Sequence, residues 1–282
     1  MESNEILSKL NRARRALDAL SQVEIIDEWE FDKELNIWHL HLGITIDYET
    51  KYFPQISKWY IVAASDYPKG SIKVYPDIRD SITVTLYHQA NNSEVERNGL
   101  WRKGALCLEV NTLSSFQPEP YNADERLIYH VKRAINWLEL AARGQLVTDT
   151  ELFELPEFTL RNAFGMQFAF SEDTVTFTQW ESTDCRYGIA ELDVYKRNPS
   201  VYYVKCFKSI TGNIEHYTQW GKYLSQTSIS TPINAPWMLL KQIPVIHEWQ
   251  APETMGDLID ACNSQHIDIV NVLKNIVSRK IG

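Results

Sequence analysis

Tyr87-His88-Gln89-Ala90-Asn91-Asn92 and, after a polar stretch, Trp101-Arg102-Lys103-Gly104-Ala105-Leu106-Cys107-Leu108-Glu109-Val110 are the residues on which the reading of the fold turns. A histidine with asparagines three and four residues on is followed by a glycine three residues before a cysteine. Cys107 stands between Leu106 and Leu108, and a cysteine between leucines is ordinarily a buried core thiol. Beside a turn, with His88 and an amide nearby in sequence, it also has the makings of a nucleophile. The patterns on either side decide between these readings.

Upstream, Ile6, Leu7, Leu10, Ala13, Leu17 and Leu20 recur at helical spacing, so residues from about Asn4 to Ser21 read as a helix. Lys9, Arg12, Arg14 and Arg15 on its other faces read as a solvated surface in preference to a docking face for an acidic partner. Trp38, Leu40, Leu42, Ile44 and Ile46 then alternate with His39, His41, Gly43 and Thr45, the period of a strand with one solvated face. Lys58 to Ala64, Ser71 to Tyr75 and Ser81 to Tyr87 are further strand candidates, and Asp66-Tyr67-Pro68-Lys69-Gly70 is a turn. Short connections make an antiparallel meander the economical topology. Downstream, Ser114 to Tyr121 is irregular. Asn122 then caps a helix with Glu125 in the capping-box position, a stripe from Leu127 to Ala142 is apolar, and Gly144 stops it.

The order helix, meander, irregular cysteine segment, helix resembles the ubiquitin-conjugating enzymes, and the resemblance reaches named residues. Tyr67-Pro68 stands where that family has its Tyr-Pro turn. His88-Gln89-Ala90-Asn91 stands for His-Pro-Asn, and Gly104-Ala105-Leu106-Cys107-Leu108 for Gly-x-x-Cys-Leu. The family's proline is absent after His88, and either Asn91 or Asn92 can be its functional amide. The chain most resembles the N-terminal half of the bacterial ubiquitin-conjugating/ubiquitin-activating fusion proteins of CBASS operons. The runs Ala134-Ile135-Asn136-Trp137-Leu138, Phe153-Glu154-Leu155-Pro156 and Pro252-Glu253-Thr254 carry that likeness.

This resemblance implies an α+β ubiquitin-conjugating-like domain over 1–148 and a connecting α+β domain over 149–282. It implies a site of Cys107, His88, Asn91 and Asn92, in which Cys107 takes the C-terminus of a modifier as a thioester and an asparagine amide stabilises the oxyanion when a lysine attacks. The implied partners are an adenylation domain that uses ATP, in cis or in trans, and a cGAS-like nucleotidyltransferase whose C-terminus is the modifier in antiphage signalling. Two other readings use the same residues. One is an inactive conjugating-fold module that docks a modifier or the nucleotidyltransferase; the other is a Cys107–His88 hydrolase, which needs an orienting third group. Trp101, Leu106 and Leu108 are expected to keep the reacting carbonyl dry.

In the second half, Phe164 to Phe170, Thr174 to Trp180, Ile189 to Val194 and Val201 to Phe207 read as strands. A final helix begins near Thr254, with Asp257 as capping partner, and breaks near Gln265. Residues 150–282 contain no glycine-rich phosphate loop, so no ATP site of that kind is expected in the chain. The chain reads as ending before an activating domain.

Composition sets the remaining bounds. Of 282 residues, 44% are hydrophobic, enough for a sizeable core. The 28 basic and 37 acidic residues leave a net charge of −9, which argues against a nucleic-acid partner. Cys107, Cys185, Cys206 and Cys262 are widely spaced, which fits neither a zinc site nor a disulfide framework and points to the cytoplasm. The last three read as structural thiols. No signal peptide and no apolar run long enough for a membrane span is visible.

Overall fold

The computed structural model describes residues 2–48, 54–108, 118–146, 167–169, 174–195, 197–198, 200–224, 233–242, 244–246 and 252–278. The irregular segment over 109–117, the Phe153-Glu154-Leu155-Pro156 run and most of the first strand expected after residue 160 lie outside them. The chain divides into two compact units. One comprises 1–159 with 245–253, the other 160–244 with 254–282. Both are mixed α and β with helices beside a sheet, antiparallel in the first unit and largely antiparallel in the second: the fold is a ubiquitin-conjugating-like domain followed by a connecting α+β domain.

In the first unit, α1 (Glu2–Arg15) and a 3-10 turn (Ala16–Ala19) precede β1 (Val23–Asp32), β2 (Ile37–Thr45), β3 (Ile56–Ala64) and β4 (Ile72–Pro76). The four strands pair antiparallel in chain order, a plain meander. After the cysteine segment comes α2 (Ala123–Ala142). Asn122 caps it by accepting from the Asp124 N–H, and Gly144 ends it at φ +66°, a conformation glycine reaches without strain. The two helices pack on each other and against β1 and β4. Leu10, Ala13, Leu17, Leu127, Val131, Ala134, Leu138 and Ala141 are buried there, as are Leu40, Leu42, Trp59, Ile61 and Val74 of the sheet. At roughly 2 kcal/mol for each large side chain removed from water, this layer is the main stabilising term of the unit.

Two expectations are corrected here, and one strand is added to them. β1 is a strand the periodicity did not reveal, because it is an edge whose charged residues face water. His39 and His41 do not lie on a solvated face: they are 6% and 8% exposed. The chain after β4 returns over that face, where Trp101 pairs with Asp77 and packs on Tyr60 and His39. The His41 ring stacks on Tyr60 at 4.3 Å, and its Nδ1 meets Asp27 at 2.8 Å. Burial holds the His39 imidazole below its ordinary pKa. Finally, Ser81 to Tyr87 forms no strand. The carbonyls of Ile82 and Val84 accept from the Asn92 amide, and the Leu86 N–H donates to Gln89, so side chains supply the partners a ladder would have given.

The second unit is built on β5 (Gln167–Ala169), β6 (Tyr187–Val194), β7 (Val201–Ser209), β8 (Ile214–Tyr217) and β9 (Ile233–Met238). The sheet order is β5-β7-β6-β9, with β8 on β7, and only the β5–β7 pair is parallel. Thr174 to Trp180 is not a strand but most of α3 (Thr174–Ser182). Its Trp180 ring packs edge-on against Phe207 and tilted against Trp237, and this tertiary burial overrides the local β preference. α4 (Gln219–Leu224) follows β8. α5 (Met255–Ser264) begins with the expected capping box between Thr254 and Asp257, and α6 (Ile269–Ser278) follows the break at Gln265.

Candidate active site

Two chain segments cross beside the end of β4. Leu106 donates its N–H to the Val74 carbonyl at 3.0 Å, and Arg102 donates to Pro76 at 2.9 Å, so residues 101–106 run along the strand. Residues 88–90 then pair with 105–107: Ala90 N–H donates to Ala105 at 2.9 Å, and Cys107 N–H donates to His88 at 2.8 Å. Cys107 stands where this short ladder ends. Its backbone is held on both sides and its side chain is exposed, while Leu106 before it is buried. The buried-thiol reading therefore does not apply to Cys107.

The elements that fix the cysteine are largely ones the motif did not name. His88 adopts φ +56°, a left-handed turn that histidine tolerates better than most residues. Its carbonyl also accepts from the Trp137 indole N–H of α2, at 3.1 Å. Arg133, one turn earlier on α2, donates through Nε to the Leu108 carbonyl at 2.6 Å. Gln89, in the place of the family's proline, is buried. Its Oε1 accepts from the Leu86 N–H and its Nε2 donates to the Gly104 carbonyl, both at 3.0 Å. Gln89 thus bolts the two segments together by hydrogen bonds, where a proline would restrict the backbone by its ring. Trp137 was legible as part of a likeness, but nothing in the sequence marked Gln89 or Arg133 as supports.

The two asparagines differ in place. Asn92 is 0% exposed, and its Nδ2 donates to Ile82 at 2.9 Å and Val84 at 3.1 Å. Its Oδ1 is buried without a hydrogen-bond partner. A Cβ on Gly104 would fall 2.3 Å from that oxygen, so the glycine of the cysteine motif is required by close approach. Asn91 is half-buried, and its Oδ1 accepts from the Ser93 N–H at 3.0 Å in an Asx turn. Trp101, expected near the reacting carbonyl, is 1% exposed and packs in the His39–Tyr60 cluster. Leu108 is half-buried beside Cys107.

The remaining three thiols form no disulfide. Cys206 and Cys262 are buried, Cys185 is half-buried, and burial pushes all three thiols up in pKa. Among the described residues no group of three or more His, Cys, Asp or Glu is arranged to hold a metal ion. No helix among them is long and apolar enough to cross a membrane.

The arrangement defines a conjugating-type domain: a four-stranded meander with a helix before and after it, and an exposed cysteine held beside a histidine–asparagine turn. Residues 144–281 match the family model described as the Cap2 central linker domain. The chain is 28% identical over 214 residues to the ATP-dependent ubiquitin transferase-like protein Cap2 of Enterobacter hormaechei subsp. hoffmannii (strain UCI 50). That match covers 74% of this chain and 35% of the relative, so the chain spans about a third of the curated protein it matches. The chain is thus similar to Cap2, and over residues 144–281 to the Cap2 central linker domain.

Proposed function

We propose that this chain is a ubiquitin-conjugating-like acyl transferase with Cys107 as its thioester carrier. A role in ubiquitin-like conjugation is the broader statement, and the similarity to a ubiquitin transferase-like protein supports it. The observation that carries the finer reading is the exposed Cys107 thiol on a backbone pinned by His88, Trp137 and Arg133. In the first step the Cys107 thiolate attacks the acyl-adenylate at a modifier's C-terminus, forming the S–C bond and expelling AMP. An adenylation domain, in cis or in trans, supplies that adenylate with ATP. In the second step an amine attacks the thioester carbonyl, the thiolate leaves, and the amine proton passes to solvent. A thioester is already activated, so the protein's task is to position it and to stabilise the oxyanion.

Of the two asparagines, Asn91 is the better oxyanion donor, since both amide hydrogens of Asn92 are engaged by the Ile82 and Val84 carbonyls. The His88 carbonyl fixes the cysteine, and the His88 backbone makes the left-handed turn beside it. By likeness, the modifier is the C-terminus of a cGAS-like nucleotidyltransferase, the acceptor is a lysine, and the setting is cytoplasmic antiphage defence. Incubation with an adenylation partner, ATP and modifier should give an adduct on wild type that reductant removes and Cys107→Ala abolishes. No adduct, together with slow alkylation of Cys107, would leave a docking module. Release of modifier to water without an accumulating adduct would favour the hydrolase.

A further inference from the structure

Residues 245–253 lie late in the chain but belong to the first unit. At their end Pro252 is buried, Glu253 is half-buried, and Thr254 opens the capping box of α5. The Glu253 carboxylate accepts a hydrogen bond from the Thr85 hydroxyl. Thr85 is 1% exposed, and the same oxygen accepts from the Asn92 N–H at 3.0 Å. Asn92 in turn holds Ile82 and Val84, takes Arg102 on its carbonyl at 3.3 Å and fills the space Gly104 leaves. Gly104 is three residues before Cys107.

A hydroxyl has one hydrogen to give. When a carboxylate takes it, the oxygen lone pairs are left to face the Asn92 N–H, and donation to an anion strengthens the oxygen as an acceptor. Without Glu253 the buried hydroxyl would have to find another acceptor or turn, and the Asn92 anchor would weaken. We propose that Glu253 is a positioning residue for the Cys107 loop, acting through Thr85 and Asn92. A residue near the far end of the chain thus sets the rigidity of the site. The catalytic consequence rests on Cys107 being the thioester carrier; the hydrogen-bond relay does not.

The test uses the full chain with Glu253→Ala, Glu253→Gln, Thr85→Val and Thr85→Ser. Three rates are read: hydrogen exchange at the Asn92 amide, alkylation of Cys107 by iodoacetamide, and discharge of a preloaded thioester to free lysine. Loss of a charge-assisted bond should speed Asn92 exchange roughly tenfold in Glu253→Ala and Thr85→Val. Discharge should slow several-fold with loading unchanged. Thr85→Ser, which keeps the hydroxyl, should restore both rates, and Glu253→Gln, which keeps an acceptor without its charge, should restore them in part. Unchanged Asn92 exchange in the first pair overturns the proposal. So does exchange that accelerates equally across β2 and β3, which marks general loosening. Altered exchange with unaltered discharge and alkylation removes the positioning role. If wild type forms no thioester, the transferase reading falls instead, and exchange with alkylation alone decides the relay.

Discussion

Gly104 and the Asn92 side chain share one small space behind Cys107, and neither can grow without moving the other. Gly104→Ala places a methyl 2.3 Å from Oδ1 of a side chain whose amide is tied to two carbonyls, so relief must come from backbone movement. We expect a loss of about 1–3 kcal/mol by denaturant unfolding, with faster alkylation of Cys107 as its loop shifts. At this scale Cys107, His88 and the glycine were legible, since each is a residue type with a distinct chemistry or backbone need. Gln89 and Thr85 were not. Their roles are hydrogen bonds to groups that only folding brings near.

Helix α2 reaches the site from outside the motif. Trp137 is 2% exposed, and its indole N–H ends on the His88 carbonyl. Trp137→Phe keeps most of the ring's packing and removes the donor. The expected cost is about 1 kcal/mol in thermal or denaturant unfolding, with Cys107 alkylation changed more than stability would suggest. A tryptophan-to-phenylalanine change that leaves Cys107 reactivity untouched would show that the indole is only core. The apolar stripe of α2, its Asn122 cap and its Gly144 stop were readable, because helical periodicity and capping are local. The Ser81–Tyr87 and Thr174–Trp180 segments misled, because β-branched and aromatic residues favour strands only until other side chains claim their backbone or bury their rings.

For the molecule as a whole, buried titratable groups set the range of pH in which it is stable. Burial pushes Tyr60 and Tyr67 each up to about 12. The unfolded chain loses those protons near pH 10, so the contribution is full below about pH 10 and is lost as pH rises toward 12. His39 and His130 are held below 6.5, chiefly by burial. The unfolded chain then takes up protons that the folded one refuses, so stability falls as pH drops below about 6.5. Melting temperatures measured between about pH 5 and about pH 11 should therefore form a plateau with both shoulders falling. Tyr67→Phe, which removes one of the phenols that burial raises, should shallow the alkaline shoulder.

What the sequence determined alone was what near neighbours determine: helices with their caps, the central strands, and a cysteine whose flanking residues match a known chemistry. Tertiary structure decided the rest. It buried the second face of β2 under Trp101, chose Asn92 as anchor and left Asn91 half-buried, set Gln89 where a proline is expected, and returned residues 245–253 to the first unit. Each of these depends on pairing groups far apart in the chain. Buried polar groups must find partners wherever the fold brings one within reach, and no local pattern records which partner that is.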